Sequence, residues 1–254
     1  MKNGTKVLKK SGAVLKKLNV LIGCEESQEV CKAFRELGHE AFSCDLQECS
    51  GGKPDWHLNM SIFEAVKIKQ WDILIAHPPC TFLSTVGNRY FNIETCGDKA
   101  IDRWRKRIEG LQFFYDLWNC GIEKICLENP QGFLGTAFRK ADQIIHPYYF
   151  GDCELKRTHL WLKGLPKLKY QLRNDLFDER TASDTPQPLY IRQEGKTKGK
   201  KVYFTEANFG NAKLRSKTFP GIAKAMAEQW SAFCISPDFF KTELIEKASY
   251  EIQK

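Results

Sequence analysis

The chain has 254 residues, enough for one domain with a full core and a small appendage. Hydrophobic residues make up 42%, no apolar run reaches the length of a bilayer span, and the N-terminus carries no apolar export segment. Neither a membrane span nor export is therefore expected, and the cytoplasm is the expected location by default. The formal net charge of +8 favours a polyanionic partner.

The first predicted element is a flexible basic tail, Met1 to Lys17. It holds Lys2, Lys6, Lys9, Lys10, Lys16 and Lys17 with no acid among them. Leu18 to Ile22 reads as a buried strand. Ser27 is placed to cap a following helix that carries Val30, Phe34 and Leu37 on its apolar face, and Gly38 ends that helix. Glu40 to Cys44 is a second strand with Asp45 at its end, and Trp56 to Leu58 a short third. Ile62 to Lys69 is helical. Trp71 to Ala76 is apolar nearly throughout, as in a parallel sheet. Asp102 to Trp118 is a long amphipathic helix, with Ile108, Leu111, Phe114, Tyr115 and Trp118 at helical spacing. Lys124 to Leu127 and Thr158 to Leu162 are further strands, and Ile222 to Phe233 a late helix. Strands alternating with helices predict an α/β fold with an open, mostly parallel sheet.

Ten cysteines and no export signal point to reduced thiols. Cys24, Cys31, Cys44, Cys49 and Cys80 form no paired C-x-x-C knuckles, so no metal centre is expected.

In open α/β sheets, ligands bind beyond the carboxyl ends of the strands. The residues that follow the predicted strands are Gly23-Cys24-Glu25-Glu26-Ser27, Asp45, Asn59 and Ser61, His77-Pro78-Pro79-Cys80, and Glu128-Asn129-Pro130. The first loop lacks G-x-G-x-x-G, which argues against a dinucleotide, but it feeds a helix N-terminus. Asp45 stands where ribose hydroxyls are held in many nucleotide-binding sheets. Pro78 and Pro79 stiffen the approach to Cys80, whose thiolate is a strong nucleophile. Glu128, half desolvated by Pro130 and Phe133, is expected to be protonated near neutral pH and to donate to a ring nitrogen. Lys156 and Arg157, before the next strand, are candidate cations for the same site.

At these residues the sequence resembles the carbon-5 cytosine DNA methyltransferases, most closely a compact branch carried by phages and mobile elements. The resemblance rests on VLIGCEES (Val20 to Ser27), EAFSCD (Glu40 to Asp45), WDILIAHPPCT (Trp71 to Thr81), ICLENP (Ile125 to Pro130), KRTHLWL (Lys156 to Leu162) and RSKTFPGIAKAMAEQW (Arg215 to Trp230). It implies a Rossmann-like S-adenosylmethionine-dependent methyltransferase fold with a small appended segment. Cys80 would add to carbon-6 of the pyrimidine, and Glu128 would hydrogen-bond ring nitrogen-3. Arg157 and Lys156 would stand near the base. S-adenosylmethionine would lie against Gly23, Cys24 and Glu25, with Asp45, Ser61 and Pro78 beside it. Ser216 to Gly221 would fold back to close the cofactor pocket. DNA would be the partner, with the target base flipped out of the duplex, and the protein a monomer.

The implied division is a tail at 1–17, a catalytic core at 18–164, a target-contacting segment at 165–211 and a closing helical region at 212–254. The target-contacting segment is short. It carries Arg173, Arg180 and Arg192 beside Lys196, Lys198, Lys200 and Lys201, which predicts short or relaxed sequence recognition. The alternatives are a methyltransferase acting on a free pyrimidine nucleotide or RNA, and a catalytically inactive nucleic-acid-binding protein of the same fold. A zinc deaminase is rejected, because no H-x-E precedes Pro79-Cys80 and Leu83 stands where its second cysteine would be.

Overall fold

The structure is a computed structural model that describes residues 16–170, 186–195, 197–203 and 217–236. Most of the basic tail, Arg173, Arg180, Lys196 and Ser216 lie outside the described residues.

Strand β1 (Asn19–Gly23) leads to helix α1 (Glu29–Glu36), β2 (Glu40–Asp45), β3 (His57–Asn59), α2 (Ile62–Ile68) and β4 (Ile73–Ala76). Short helix α3 (Ile93–Cys96) and long helix α4 (Asp98–Trp118) precede β5 (Ile125–Pro130), α5 (Leu134–Ala137), β6 (Gln143–Ile145) and β7 (Thr158–Lys163). A two-stranded hairpin, β8 (Tyr190–Ile191) and β9 (Lys201–Val202), falls in the polar segment, and helix α6 (Pro220–Ile235) follows.

The main sheet has seven strands in the order β3-β2-β1-β4-β5-β7-β6. β1 to β5 pair in parallel, whereas β7 runs antiparallel to both β5 and β6. This is an open, mixed, mostly parallel Rossmann-like sheet, as expected from the strand–helix alternation.

Alternate strand residues supply the two faces. Val20, Ile22, Ile73, Ile75, Cys126 and Leu160 pack with Val30 and Phe34 of α1 and Ile222, Met226 and Trp230 of α6. Leu21, Leu74, Ala76, Ile125, Leu127 and Trp161 pack with Ile62 and Ala65 of α2 and Phe114 and Leu117 of α4. Helices on both faces explain why β1 and β4 read as continuous apolar runs. Each large side chain fully buried here contributes about 1.5–3 kcal/mol relative to exposure.

Four local expectations differ from what is observed. Ser27 does not cap α1; the cap position is Gln28, with φ of 63°, and the Glu25 carboxylate satisfies the free N–H groups instead. Ser27 is itself buried. Helix α4 starts at Asp98 rather than Asp102, and Ile108 and Tyr115 are exposed on it. β5 runs on through Glu128-Asn129-Pro130, because β7 pairs with it to the Pro130↔Thr158 step. Leu37 lies exposed at the end of α1 rather than on its buried face, while Gly38 beyond it takes φ of 85° and ends the helix as expected.

Among the described residues, no helix is long and apolar enough to cross a membrane.

Candidate active site at the carboxyl edge of the sheet

The chain leaves β1 toward β2 and β3 on one side, then returns to add β4 on the other. The loops after β1 and β4 therefore lead away from each other where the strand order reverses, the usual ligand position in such sheets. The first loop begins at Gly23, where a Cβ would lie 2.6 Å from Ile62 Cδ1. Cys24 takes φ of 56°, and its thiol is pushed up to about 12 by burial, with Asp45 and Cys44 adding to the effect. It is therefore a neutral thiol at physiological pH. Glu25 is buried, and its Oε1 accepts from Val30 N–H at 2.7 Å and its Oε2 from Cys31 N–H at 3.3 Å. Burial raises its carboxyl above the usual range, partly offset by His77 and by those two N–H donors.

Asp45 ends β2 beside this loop. Its Oδ1 accepts from Gln47 N–H at 2.9 Å, and Asn59 Nδ2 donates to the carbonyls of Asp45 and Leu46 at 3.3 and 3.1 Å. The next residue, Leu46, is 79% exposed. An apolar side chain held out directly after a strand-terminal acid was not singled out from sequence, although the pattern was there to read. Ser61 is the N-cap of α2; its hydroxyl accepts from Phe63 N–H, and Glu64 reaches back to Ser61 N–H to complete a capping box.

The loop after β4 carries Cys80, which is exposed, whereas Pro78 is buried. Backbone groups tie this loop together. The Cys80 carbonyl accepts from Leu83 and Ser84 N–H at 3.0 Å each. The buried Asn129 donates from Nδ2 to the Pro78 carbonyl at 2.8 Å. Phe133 N–H donates to the Leu83 carbonyl at 2.7 Å, and Ser84 bridges Gly132. A Cβ at Gly132 would overlap the Leu83 carbonyl. The Cys80 loop is thus stitched to the chain that leaves β5.

Arg107 of α4 holds the same loop from behind, a role its sequence position did not suggest. It is 4% exposed, donates from Nε to the Phe82 carbonyl at 2.7 Å and from Nη2 to Asn88 Oδ1 at 2.8 Å, and lies 3.4 Å from the Phe91 ring centroid. Arg107→Ala is expected to lower stability by about 2–3 kcal/mol, since hydrogen bonds from a charged donor are lost in a buried place. Urea denaturation measures that loss, and limited proteolysis should show new cleavage between Phe82 and Phe91. A variant with unchanged stability and unchanged cleavage would show that the clamp is idle.

Glu128 lies beside this loop, 16% exposed, with Oε2 3.3 Å from Nδ1 of His77. The expectation of a carboxylic acid protonated near neutral pH is corrected here. Burial pushes the Glu128 carboxyl up, but the His77 hydrogen bond and the charges of Lys156, His77 and His159 outweigh it, so it sits below its ordinary value. Lys156 acts on Glu128 as a cation. Arg157 donates from Nη1 to Gln131 Oε1 at 3.0 Å on the exposed rim. Both reach this edge because β7 is antiparallel, so its first residues lie beside the last of β5.

A concavity of about 430 Å³, lined by Lys17, Lys32, Arg35, Glu36, Gly38, His39, Lys53 and Trp56, lies elsewhere, where β1 and β2 begin. It faces the C-terminal end of α1, where cations complement the helix dipole. The carboxyl edge of the sheet, which gathers the reactive groups, is the stronger candidate site.

Cys80, Glu128, Lys156, Pro78, Asp45 and the Cys24-Glu25 loop all belong to the carboxyl edge of this sheet, whose Rossmann-like topology is compatible with S-adenosylmethionine-dependent methyltransferases in general. Comparison with known proteins found no matching family model and no matching curated protein.

Proposed function

We propose that the chain is an S-adenosylmethionine-dependent methyltransferase acting on carbon-5 of cytosine in DNA, with Cys80 as covalent nucleophile. The observation that carries the reading is the coupling of the Cys80 loop to Glu128-Asn129 through the Asn129–Pro78 bond and the Leu83–Phe133 bond. A thiol and a carboxylate from successive parallel strands are held at one edge, as addition to a pyrimidine requires.

The residues present fit the cofactor. The Oδ2 atom of Asp45 has no partner among the described residues and suits ribose hydroxyls, and exposed Leu46 beside it offers an apolar surface for adenine. Gly23, Cys24 and Glu25 would line the cofactor site, with Ser61 and Pro78 at its margins. When bound, the cofactor supplies an electrophilic methyl group. The protein's part is to raise the nucleophilicity of carbon-5. The Cys80 thiolate bonds to carbon-6, charge flows toward ring nitrogen-3, and a proton delivered through Glu128 neutralises it. Lys156, and Arg157 on the rim, would oppose the developing negative charge. After methyl transfer, carbon-5 gives its proton to solvent at the exposed Cys80 edge as the carbon-6–sulfur bond breaks, the thiolate departs and the ring is restored.

DNA is the favoured substrate because exposed Lys198, Lys200 and Lys201 cluster on the β8–β9 hairpin, with Arg192 beside them. Such a hairpin can neutralise phosphates. Incubation with labelled cofactor and duplex DNA, single-stranded DNA, RNA or free deoxycytidine nucleotides, followed by nucleoside mass spectrometry, tests this. Methylation at carbon-5 of cytosine in duplex DNA is expected, weakening steeply as salt rises. Methylated nucleotides with unmodified DNA would overturn the DNA reading, and transfer to an exocyclic nitrogen would overturn the covalent one.

A further inference from the structure

His77 is the residue at this edge with the most telling surroundings and no assigned role. Buried β4 delivers it between the β1 loop and β5, where its backbone N–H donates to the Gly23 carbonyl at 3.0 Å. Its side chain is 10% exposed, with Nδ1 3.3 Å from Glu128 Oε2, and Nε2 is buried with no hydrogen-bond partner among the described residues. The buried Glu25 carboxyl lies near enough on the β1 side to feel the imidazole charge. One imidazole thus sits between carboxyls delivered by the two strands that flank its own. The other groups acting on this set are Glu29 on Glu25, and Lys156 and His159 on Glu128.

The Glu128 carboxyl sits below its ordinary value, so an ionised Glu128 has no proton of its own to give, and His77 Nδ1 is the titratable group 3.3 Å from it. We propose that His77 holds the proton that Glu128 delivers to the pyrimidine ring nitrogen, so that imidazole and carboxylate work as one acid. The inference rests on reading Glu128 as the partner of ring nitrogen-3. As the Cys80 sulfur bonds to carbon-6, the Nδ1 proton of the imidazolium moves to Glu128, and Glu128 passes one proton to nitrogen-3. The imidazole is left neutral and the carboxylate unchanged. When the thiolate leaves, the nitrogen-3 proton returns by the same path. His77 touches no substrate atom in this scheme and is a positioning residue that also stores charge.

His77→Asn and His77→Gln in the full chain separate this role from a structural one, since an amide N–H keeps a hydrogen bond to Glu128 but carries no titrating proton. The measurement is single-turnover methyl transfer to duplex DNA across pH 5.5 to 9 (roughly the range over which an imidazole changes charge). The wild-type rate should fall on the alkaline side with the loss of one proton. The variants should be slower by about 10- to 100-fold at the acidic end, and their alkaline fall should disappear. A variant with the wild-type rate overturns the proposal. So does one slowed equally at every pH with the alkaline fall intact, which marks a structural part only. A wild-type protein that methylates no cytosine substrate sinks the functional reading instead. Histidine-resolved NMR then decides the pairing by itself: Glu128→Gln should move the His77 titration to lower pH, and an unmoved titration overturns the shared proton.

Discussion

Cys80→Ala is expected to abolish methyl transfer while leaving the fold intact. The loop is shaped by the Cys80 carbonyl, the Pro78 carbonyl and the Leu83–Phe133 contact, all of which survive loss of the sulfur. The side chain is exposed, so its truncation should change stability by no more than about 0.5 kcal/mol. Without a nucleophile at carbon-6 the ring has no route to an electron-rich carbon-5. The rate should drop by at least about 10⁴-fold, the order seen when an enzyme loses its nucleophile. DNA carrying 5-fluorocytosine should trap the wild-type protein as a complex that survives denaturing electrophoresis, because fluorine at carbon-5 cannot leave as a proton does. Cys80→Ala should form none. Methylation at the wild-type rate by the alanine variant would rule out the covalent route.

Glu128→Gln is expected to cost about 10²–10⁴ in rate, the span of a positioned acid or base. The fold should persist, because the amide oxygen still accepts from His77. The same variant has a second signature, in stability against pH. The Glu128 carboxyl lies below its ordinary value in the folded protein, so between the folded and unfolded values the unfolded chain binds more protons. Its stabilising contribution is present above the ordinary carboxylate value and is lost as pH falls through the lowered one. Urea denaturation of the wild-type protein should therefore show a loss of stability on acidification that is smaller in Glu128→Gln. Equal acid sensitivity in the two proteins would mean that the His77 and Lys156 contacts do not hold the carboxylate charged. An unchanged rate would remove Glu128 from the mechanism.

The sequence by itself determined the alternation of elements and the edge at which to look. Val20, Leu21 and Ile22, and Ile73, Leu74 and Ile75, are buried on both faces, and only a covered parallel sheet asks for such runs. The residues after parallel strands lie at one edge of the sheet, which is why Cys24, Asp45, Pro78 and Cys80 were legible as belonging to one edge. Local spacing carries this information, because strand and helix periods are properties of the chain itself.

Pairing direction is not local, and only the tertiary structure decided it. Had β7 run parallel to β5, Lys156 and Arg157 would stand at the opposite edge from Glu128. The reversal through β6 brings Thr158 beside Pro130 and the two cations with it. The same pairing extends β5 through Glu128, although its apolar run ends at Leu127. The protonation of Glu128 was misjudged for a related reason. Its apolar neighbours in sequence suggested desolvation, but His77, 51 positions away, sets the balance. Arg107 carries no local signal in the sequence, yet it is buried against Phe91 and the Phe82 carbonyl. Ser27 has the ideal chemistry for a cap, yet the Glu25 carboxylate takes the helix N–H groups once Gln28 turns left-handed. In each case a long-range or geometric contact in a place of low hydration outweighs the local preference, because an electrostatic interaction strengthens as water is excluded from it.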